Sequence, residues 1–415
     1  MSLSFRSAAV VRTRAVWPRR LSLVGKAAWA GTALSVVPAL FVGDGALGGK
    51  HFSDALFLFY AASSLLQLVA AVSLVLSYVL WMSEPQAPAD VHADADALRI
   101  VSPGSTEVLA ARDLRGALVV DRPIGGVTMP TVEVETRAGE RRAIRTPDVA
   151  TATALVETLG FAGEHARRVQ VSLASQSRRL LNPLVALGVY AVFNTAAAVV
   201  AILVGVPAGA VFAPMITLLA YAVARRLLRP PEVTFGRDGV VVRRGLGKKT
   251  LQAADIARVD RDLGAGLTVV DVGGARHALS GVLCDPRRAD ALAVAIPRAT
   301  RKLDAIPADR VARYGRSGEG IPAWRARIAA MVAEPGYRAA AASVEEEAEA
   351  VLLGTAATPD QRVGAALSLT ARGVGPARSR VAAEASADDD VRAALEAAAD
   401  ADDARLDRAL RKLRR

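Results

Sequence analysis

An internal repeat constrains this chain more than any other feature of its sequence. A pair of long apolar segments is followed by a compact strand-rich segment, and the same succession then occurs a second time. The anchor is the likeness between residues 109–114 (LAARDL) and 251–256 (LQAADI), whose first residues lie 142 positions apart. The apolar and strand-rich parts repeat at about the same spacing, so the sequence predicts two like-built units.

The apolar segments favour a membrane α-helical fold class. The 415 residues are 52% hydrophobic, with a mean hydropathy of +0.28, which is high for a soluble protein. A helix needs about 20 apolar residues to cross a hydrocarbon layer roughly 30 Å thick. Four uncharged stretches have about this length: 27–43, 55–82, 182–204 and 206–224. They predict two transmembrane hairpins, 27–82 and 182–224.

The placement of Lys and Arg predicts the orientation of these spans. Residues 1–26 form a basic arm with no acidic residue, and further arginines precede the third span and follow the fourth. Since positive residues remain on the cytoplasmic side, we expect a multi-pass protein of the cytoplasmic membrane with both termini in the cytoplasm. The arm has an alternative interpretation as an organelle transit peptide, which is also rich in Arg and poor in acidic residues.

Polar groups inside the predicted spans are few. Gln67 and Asn194 are interpreted as interhelical hydrogen-bond partners, with a pore-lining role as the alternative. None of the four stretches contains an ionisable residue, which argues against transport. A small transporter or channel subunit, assembled by oligomerisation of the hairpins, remains the alternative function.

The two strand-rich segments, 97–161 and 232–303, have the pattern of antiparallel sheets. Residues 131–136 (TVEVET) alternate with period two, and residues 233–242 read as two short strands around an Arg-Asp-Gly turn. Each segment ends in an amphipathic helix, the second of which begins near Asp285-Pro286. The sequence therefore predicts two α+β antiparallel-sheet domains.

This pattern resembles the PH-like domains of bacterial membrane-anchored proteins. The resemblance depends on the strand starts at Leu109 and Leu251, the turns at Gly139 and Gly274, and the final helices. It implies binding modules for lipid headgroups or protein segments. Residues 123–126 of the first copy depart from the pattern and leave its number of strands open.

The sequence offers one candidate contact site for anionic lipid headgroups. Arg243, Arg244, Lys248 and Lys249 flank a glycine-rich turn, and a cation near an anionic leaflet contributes about 1 kcal/mol. The alternative is an ordinary solvated turn.

The carboxy-terminal region, 321–415, is predicted to be all-α. Residues 363–367 (VGAAL) and 391–395 (VRAAL) recur 28 positions apart and resemble a short HEAT-like repeat, unless the match is an accident of Ala-rich helices. Asp388–Asp390 precede a helix and are interpreted as complementing the helix dipole, with no partner required.

No catalytic, cofactor or metal-binding motif is found. The chain has one cysteine, Cys284, and four scattered histidines. Residues 245–250 (GLGKKT) lack the glycine spacing of a P-loop and precede a predicted strand. The net charge of +11 is spread over the membrane flanks and the strand-rich segments, so nucleic acid is not an expected partner.

These features together predict an integral membrane scaffold or binding protein that is not an enzyme. Its expected partners are the lipid bilayer, anionic headgroups, and proteins that contact the PH-like domains or the helical tail; self-association into an oligomer is compatible with the sequence.

Overall fold

The fold is known from a computed structural model of the chain. The structure describes residues 2–12, 69, 73, 86–124, 127–163, 166–173, 231–244, 247–262, 266–279, 285–300, 306–333, 341–355 and 357–413. These residues form strands β1 to β14 and α-helices that we number α1 to α9.

Seven antiparallel strands form the sheet of the first unit. They are β1 (Leu3–Arg12), β2 (Gln86–Ala93), β3 (Ala97–Ser102), β4 (Ser105–Ala110), β5 (Leu114–Ile124), β6 (Val127–Thr136) and β7 (Arg141–Arg145). They pair in the order β4-β3-β2-β1-β7-β6-β5. The strand β1 is central, since Phe5 lies opposite Val91 of β2 and Val10 lies opposite Ile144 of β7.

Helix α1 (Val149–Thr158) closes the first unit. Its start is fixed by Asp148, whose side chain accepts a hydrogen bond from the backbone N–H of Thr151. Ala152 and Leu155 are fully buried, and the helix packs against β5 and β6. The helix thus covers the apolar face of the sheet.

The second unit repeats this succession. Its elements are β8 (Val169–Ser172), β9 (Glu232–Gly236), β10 (Gly239–Arg244), β11 (Gly247–Gln252), β12 (Ile256–Asp262), β13 (Gly266–Asp271), β14 (Arg276–Ala278) and α2 (Pro286–Ala299). The strands pair in the orders β11-β10-β9-β8 and β12-β13-β14. A short 3-10 turn follows the fourth strand of each unit, at Ala111–Asp113 and at Ala253–Asp255. Seven strands and a closing helix therefore occur twice.

The two units share one hydrophobic core. Ile144 and Leu155 of the first unit belong to the same buried cluster as Val233 and Leu292 of the second. Helix α2 packs against β5 of the first unit as well as against β12 and β13 of its own. The units are therefore joined by apolar packing.

A buried ion pair joins them as well. Arg288 of α2 contacts Glu133 of β6, and their side chains are 3% and 5% exposed. Burial alone would raise the pKa of Glu133, but the cations Arg288, Arg122 and Arg141 outweigh it, so the pKa is lowered. Glu133 is therefore held in its charged form. Loss of Arg288 would leave this buried carboxylate without its most enclosed counter-charge, which is energetically costly.

The tail is a layer of short helices with a core of its own. The helices are α3 (Ala308–Ala312), α4 (Ile321–Ala333), α5 (Ala341–Leu353), α6 (Pro359–Ala371), α7 (Gly375–Ala385), α8 (Asp389–Ala399) and α9 (Asp403–Leu413). The start of α6 is a capping box in which the side chains of Thr358 and Gln361 each accept a hydrogen bond from the other's backbone N–H. Trp324, Leu369 and Leu395 are fully buried in the tail core.

The expected membrane α-helical fold class is not found. Within the part of the chain that the structure describes, no helix has both the length and the apolar character needed to cross a bilayer. The longest described helix, α2, has 14 residues, which extend about 21 Å against a hydrocarbon layer of roughly 30 Å. The predicted fold class and the multi-pass membrane location are therefore wrong for the described residues. The four predicted spans lie outside these residues, except for Val69 and Ser73.

Both units also begin earlier in the chain than their predicted bounds. The predicted bounds 97–161 and 232–303 leave out β1, β2 and β8. Residues 3–12, assigned to a basic arm, form the central strand of the first sheet.

Candidate functional site

Two adjacent strands of the second unit place the predicted cations together. We call β10 and β11 the basic hairpin. Arg243 lies directly opposite Lys248, and Val242 lies opposite Lys249. Like charges at directly opposed positions destabilise a sheet. The basic hairpin therefore needs neighbouring carboxylates.

The tail supplies these carboxylates. We call Asp388–Asp390 the acidic segment; Asp388 is the N-cap of α8 and accepts a hydrogen bond from the backbone N–H of Asp390. Lys248 Nζ lies 3.0 Å from Asp388 Oδ1 and 3.2 Å from Asp390 Oδ2. Arg243 donates a hydrogen bond to Asp389. The acidic segment thus neutralises the opposed cations of the hairpin.

The pKa values reflect this pairing. Burial alone would lower the pKa of Lys248, but the hydrogen bonds and charges of Asp388 and Asp390 outweigh it and raise the pKa. Burial alone would raise the pKa of Asp389, but Arg168 and Arg243 outweigh it and lower the pKa. Both shifts favour the charged forms that make the contact.

Backbone contacts fix the position of the segment that leads into α8. Asp238, in the turn between β9 and β10, accepts hydrogen bonds from the backbone N–H groups of Ala387 at 2.5 Å and Asp388 at 3.3 Å. The N–H of Arg237 donates to the carbonyl of Ala385 at 3.1 Å. The turn therefore binds the backbone of the segment through hydrogen bonds, in addition to the ion pairs with its side chains.

Gly236 allows the close approach on which these bonds depend. A Cβ atom at this position would lie 2.1 Å from the carbonyl oxygen of Ala385. That separation is far shorter than any normal contact, so a side chain at residue 236 would displace the tail from the turn.

A buried arginine of the tail stands behind the same turn. Arg362 of α6 is 2% exposed, and its Nε donates to the carbonyl of Leu352 at 2.9 Å. Its Nη1 lies 3.6 Å from Asp238 Oδ2. Burial lowers the pKa of Arg362, and the charge of Asp238 opposes this effect. Asp238 is therefore the counter-charge of a cation inside the tail as well as an acceptor for its backbone.

The predicted site residues do not form a single cluster. Arg243 and Lys248 contact the acidic segment, whereas Lys249 Nζ lies 2.7 Å from His277 Nδ1. His277 Nε2 lies 2.9 Å from Asp271, so Lys249 belongs to a separate small group. The side chain of Arg244 lies outside the described residues. Gln67 and Asn194, predicted to make interhelical contacts, lie outside them as well.

Sequence reasoning missed the acidic segment, Asp238 and Arg362. Asp388–Asp390 were interpreted through the helix dipole alone, but the same carboxylates also pair with cations 140 residues or more away in the sequence. A local pattern holds no signal for a contact at this separation. The clue that was present is the coincidence of a cationic hairpin and three consecutive aspartates in one chain.

The chemistry available at this site is ion pairing and backbone hydrogen bonding. In the described ranges, no group of three or more His, Cys, Asp or Glu side chains is placed to hold a metal ion. The arrangement suits recognition of an acidic peptide segment.

No protein-family model matches this sequence, and no curated protein matches it either.

Proposed function

We propose that this protein is a scaffold that binds acidic protein segments through its PH-like units. One observation carries the proposal: the second unit holds an acidic segment of its own chain, Asp388–Asp390, against the basic hairpin. The internal segment is then an occupant that an acidic segment of a partner protein can replace.

The contacts favour a protein segment over a lipid headgroup. A headgroup could replace the three carboxylates, since it also carries negative charge. A phosphate group has no N–H donor to match the backbone N–H groups of Ala387 and Asp388, which donate to Asp238 in the internal contact.

The fold supports the two resemblances on which this function draws. Seven antiparallel strands followed by one helix occur in both units, as in a PH-like domain. In the tail, residues 363–367 and 391–395 lie on α6 and α8, which pack together as the helices of a HEAT-like array do. The alternative of a transporter or channel subunit depends on residues 27–82 and 182–224 and has no support in the described residues.

The proposal is tested with a labelled peptide of residues 384–392 and the full-length chain. In a D388N/D389N/D390N variant the internal segment is a weaker competitor for the hairpin, because its ion pairs are lost. We expect the peptide to bind this variant about tenfold more tightly than it binds the unmodified chain, which corresponds to about 1.4 kcal/mol. Fluorescence anisotropy measures the two affinities.

Two matched controls make the result specific. A peptide with asparagine at its three aspartate positions removes the charges and keeps the length. An R243Q/K248Q change, added to the triple variant, removes the two cations that the acidic segment contacts. If both peptides bind equally, or if the loss of the cations leaves the affinity unchanged, the proposed recognition is refuted.

A further inference from the structure

A cavity of about 630 Å³ lies where the first unit meets β8 and the tail. Its size is within the range of small-molecule sites. Phe161 and three alanines form part of its wall, and Asp96 and Glu384 also line it. Its main feature is a group of six arginines: Arg112, Arg115, Arg137, Arg167, Arg168 and Arg392.

The cavity opens at the first unit's counterpart of the turn that holds the tail. The carbonyl of Asp96, in the β2–β3 turn, accepts a hydrogen bond from the N–H of Ala111 at 2.6 Å. The carbonyl of Asp238, in the β9–β10 turn, accepts one from the N–H of Ala253 at 2.8 Å. The two turns are therefore built in the same way. The second is covered by residues 385–388, whereas the first forms part of the cavity wall.

The same duplication shows that two of the arginines are not required by the fold. The N–H of Arg137 donates to the carbonyl of Asp113 at 2.7 Å, and the N–H of Val272 donates to that of Asp255 at 2.9 Å. Val272 thus takes the place of Arg137 in the second unit. In the 3-10 turns, Ala254 takes the place of Arg112. Both side chains are exposed, and the second unit keeps these backbone bonds without either arginine, so the local backbone does not require the two charges.

Most of the cavity arginines are already neutralised. Four of them form ion pairs: Arg115 with Glu135 at 2.6 Å, Arg167 with Glu384 at 3.3 Å, Arg168 with Asp389, and Arg392 with Glu396 at 2.8 Å. Among the described residues, Arg112 and Arg137 form no ion pair. The Nε of Arg115 is buried, and no hydrogen-bond partner for it is found in the same set of residues. Within the described part of the chain, the cavity therefore contains two guanidinium groups without an ion pair, those of Arg112 and Arg137, and one N–H donor without an acceptor, Arg115 Nε.

We propose that this cavity binds a small phosphorylated molecule whose phosphate is held by Arg112 and Arg137. A guanidinium group presents N–H donors in a planar fork that matches two oxygens of a phosphate. Phe161 and the alanine wall offer contact to a less polar part of the ligand. Arg112 and Arg137 lie on the first unit and do not contact the acidic segment, although the cavity borders that segment through the pair of Arg168 with Asp389.

Isothermal titration of the full-length chain with inorganic pyrophosphate tests the site. We expect R112Q/R137Q to weaken binding about 100-fold, or roughly tenfold for each charge-assisted contact that is lost. The matched control is R258Q/R276Q, which removes two exposed arginines from the second unit and changes the net charge by the same amount. The control is expected to bind pyrophosphate as the unmodified chain does.

A second arm identifies the source of the phosphate. The same three proteins are tested for flotation with phosphatidylglycerol vesicles. Pyrophosphate binding that only R112Q/R137Q weakens supports the proposal. Vesicle binding without pyrophosphate binding overturns it in favour of a lipid phosphate. Equal binding of pyrophosphate by both double variants, or none by the unmodified chain, also overturns it. Thermal unfolding of each variant reports whether the fold is retained.

Discussion

The β2–β3 turn and the β9–β10 turn share a backbone hydrogen bond, from Ala111 to Asp96 in the first and from Ala253 to Asp238 in the second. They differ in what lies against them: the tail covers the β9–β10 turn, whereas the β2–β3 turn lines a cavity. The β9–β10 turn includes Gly236 at its start, which leaves space for the carbonyl of Ala385. At the corresponding position of the β2–β3 turn stands Asp94, whose carboxylate accepts hydrogen bonds from the N–H groups of Asp96 and Ala97. One turn is closed by its own side chain and the other by the tail. The difference between Gly236 and Asp94 therefore accompanies the difference in what lies against the two turns.

Charge separates the two turns further. The first unit places Arg112 and Arg137 beside its turn, where the second unit has Ala254 and Val272. The second unit instead has its cations one strand away, in the basic hairpin, where the acidic segment reaches them. We infer that the two like-built units now have different ligands. The second unit binds the acidic segment of its own chain, and the first has a cavity for a separate molecule.

The largest expected effect comes from breaking the junction that holds the two turns in one body. In R288M, the buried carboxylate of Glu133 loses its most enclosed partner. Removing one member of a buried ion pair costs about 3–5 kcal/mol. We expect a fall of this order in the free energy of unfolding, measured by urea denaturation, together with a weaker hold of both sites on their ligands.

The control for this change is R287M on the same helix. Arg287 is exposed, so its replacement is expected to change stability by less than about 0.5 kcal/mol. If R288M and R287M have equal effects, the two units are not coupled through the ion pair, and the comparison of their turns as parts of one body fails.

A matched pair of aspartates gives the next largest effect. D238A removes the acceptor of two backbone N–H groups and the counter-charge of buried Arg362. We expect the tail to dock less stably by about 2–3 kcal/mol. D96A, at the corresponding position of the first unit, leaves these bonds intact and is expected to leave docking unchanged.

Limited proteolysis around residues 384–388 measures docking in both variants. D238A should increase the rate of cleavage and D96A should not. Because D96A removes an acidic residue from the cavity wall, it should also tighten pyrophosphate binding. Equal cleavage of the two variants would show that the two turns do not differ in the way the structure indicates.

Local elements of the fold could be predicted from the sequence, and their assembly could not. The alternation in residues 131–136 and the helix starts at Thr358-Pro359 and Asp285-Pro286 are local signals, and they lie on β6, α6 and α2. The strand β1 was missed because its partners, β2 and β7, lie far along the chain. It was also read as part of an arginine-rich segment. The cations of the basic hairpin were selected because they flank a glycine-rich turn, as candidates for contact with lipid headgroups, but their pairing with Asp388–Asp390 was not predicted.

The smallest expected effect is the pH dependence of tail docking. The pKa of Asp389 is below its ordinary value of 3.8, so its contribution is complete above that pH and is lost as the pH falls through the lowered value. The pKa of Lys248 is above its ordinary value of 10.5, so its contribution is complete below that pH and is lost as the pH rises through the raised value. Docking should therefore be most stable between these limits.

The urea midpoint of tail release, followed by proteolysis, measures this dependence. The side chains of Asp389 and Lys248 are 44% and 35% exposed, so solvent screening limits each loss to about 0.5–1 kcal/mol. D389N should reduce the acid limb, because Asp388 and Asp390 keep their ion pairs with Lys248, and K248Q should abolish the alkaline limb. No lysine is among the described residues that line the cavity, so pyrophosphate binding at the first unit should lack the alkaline limb that Lys248 gives to tail docking. If tail docking and pyrophosphate binding weaken equally at alkaline pH, the ion pairs of the basic hairpin are not the cause of the pH dependence of tail docking.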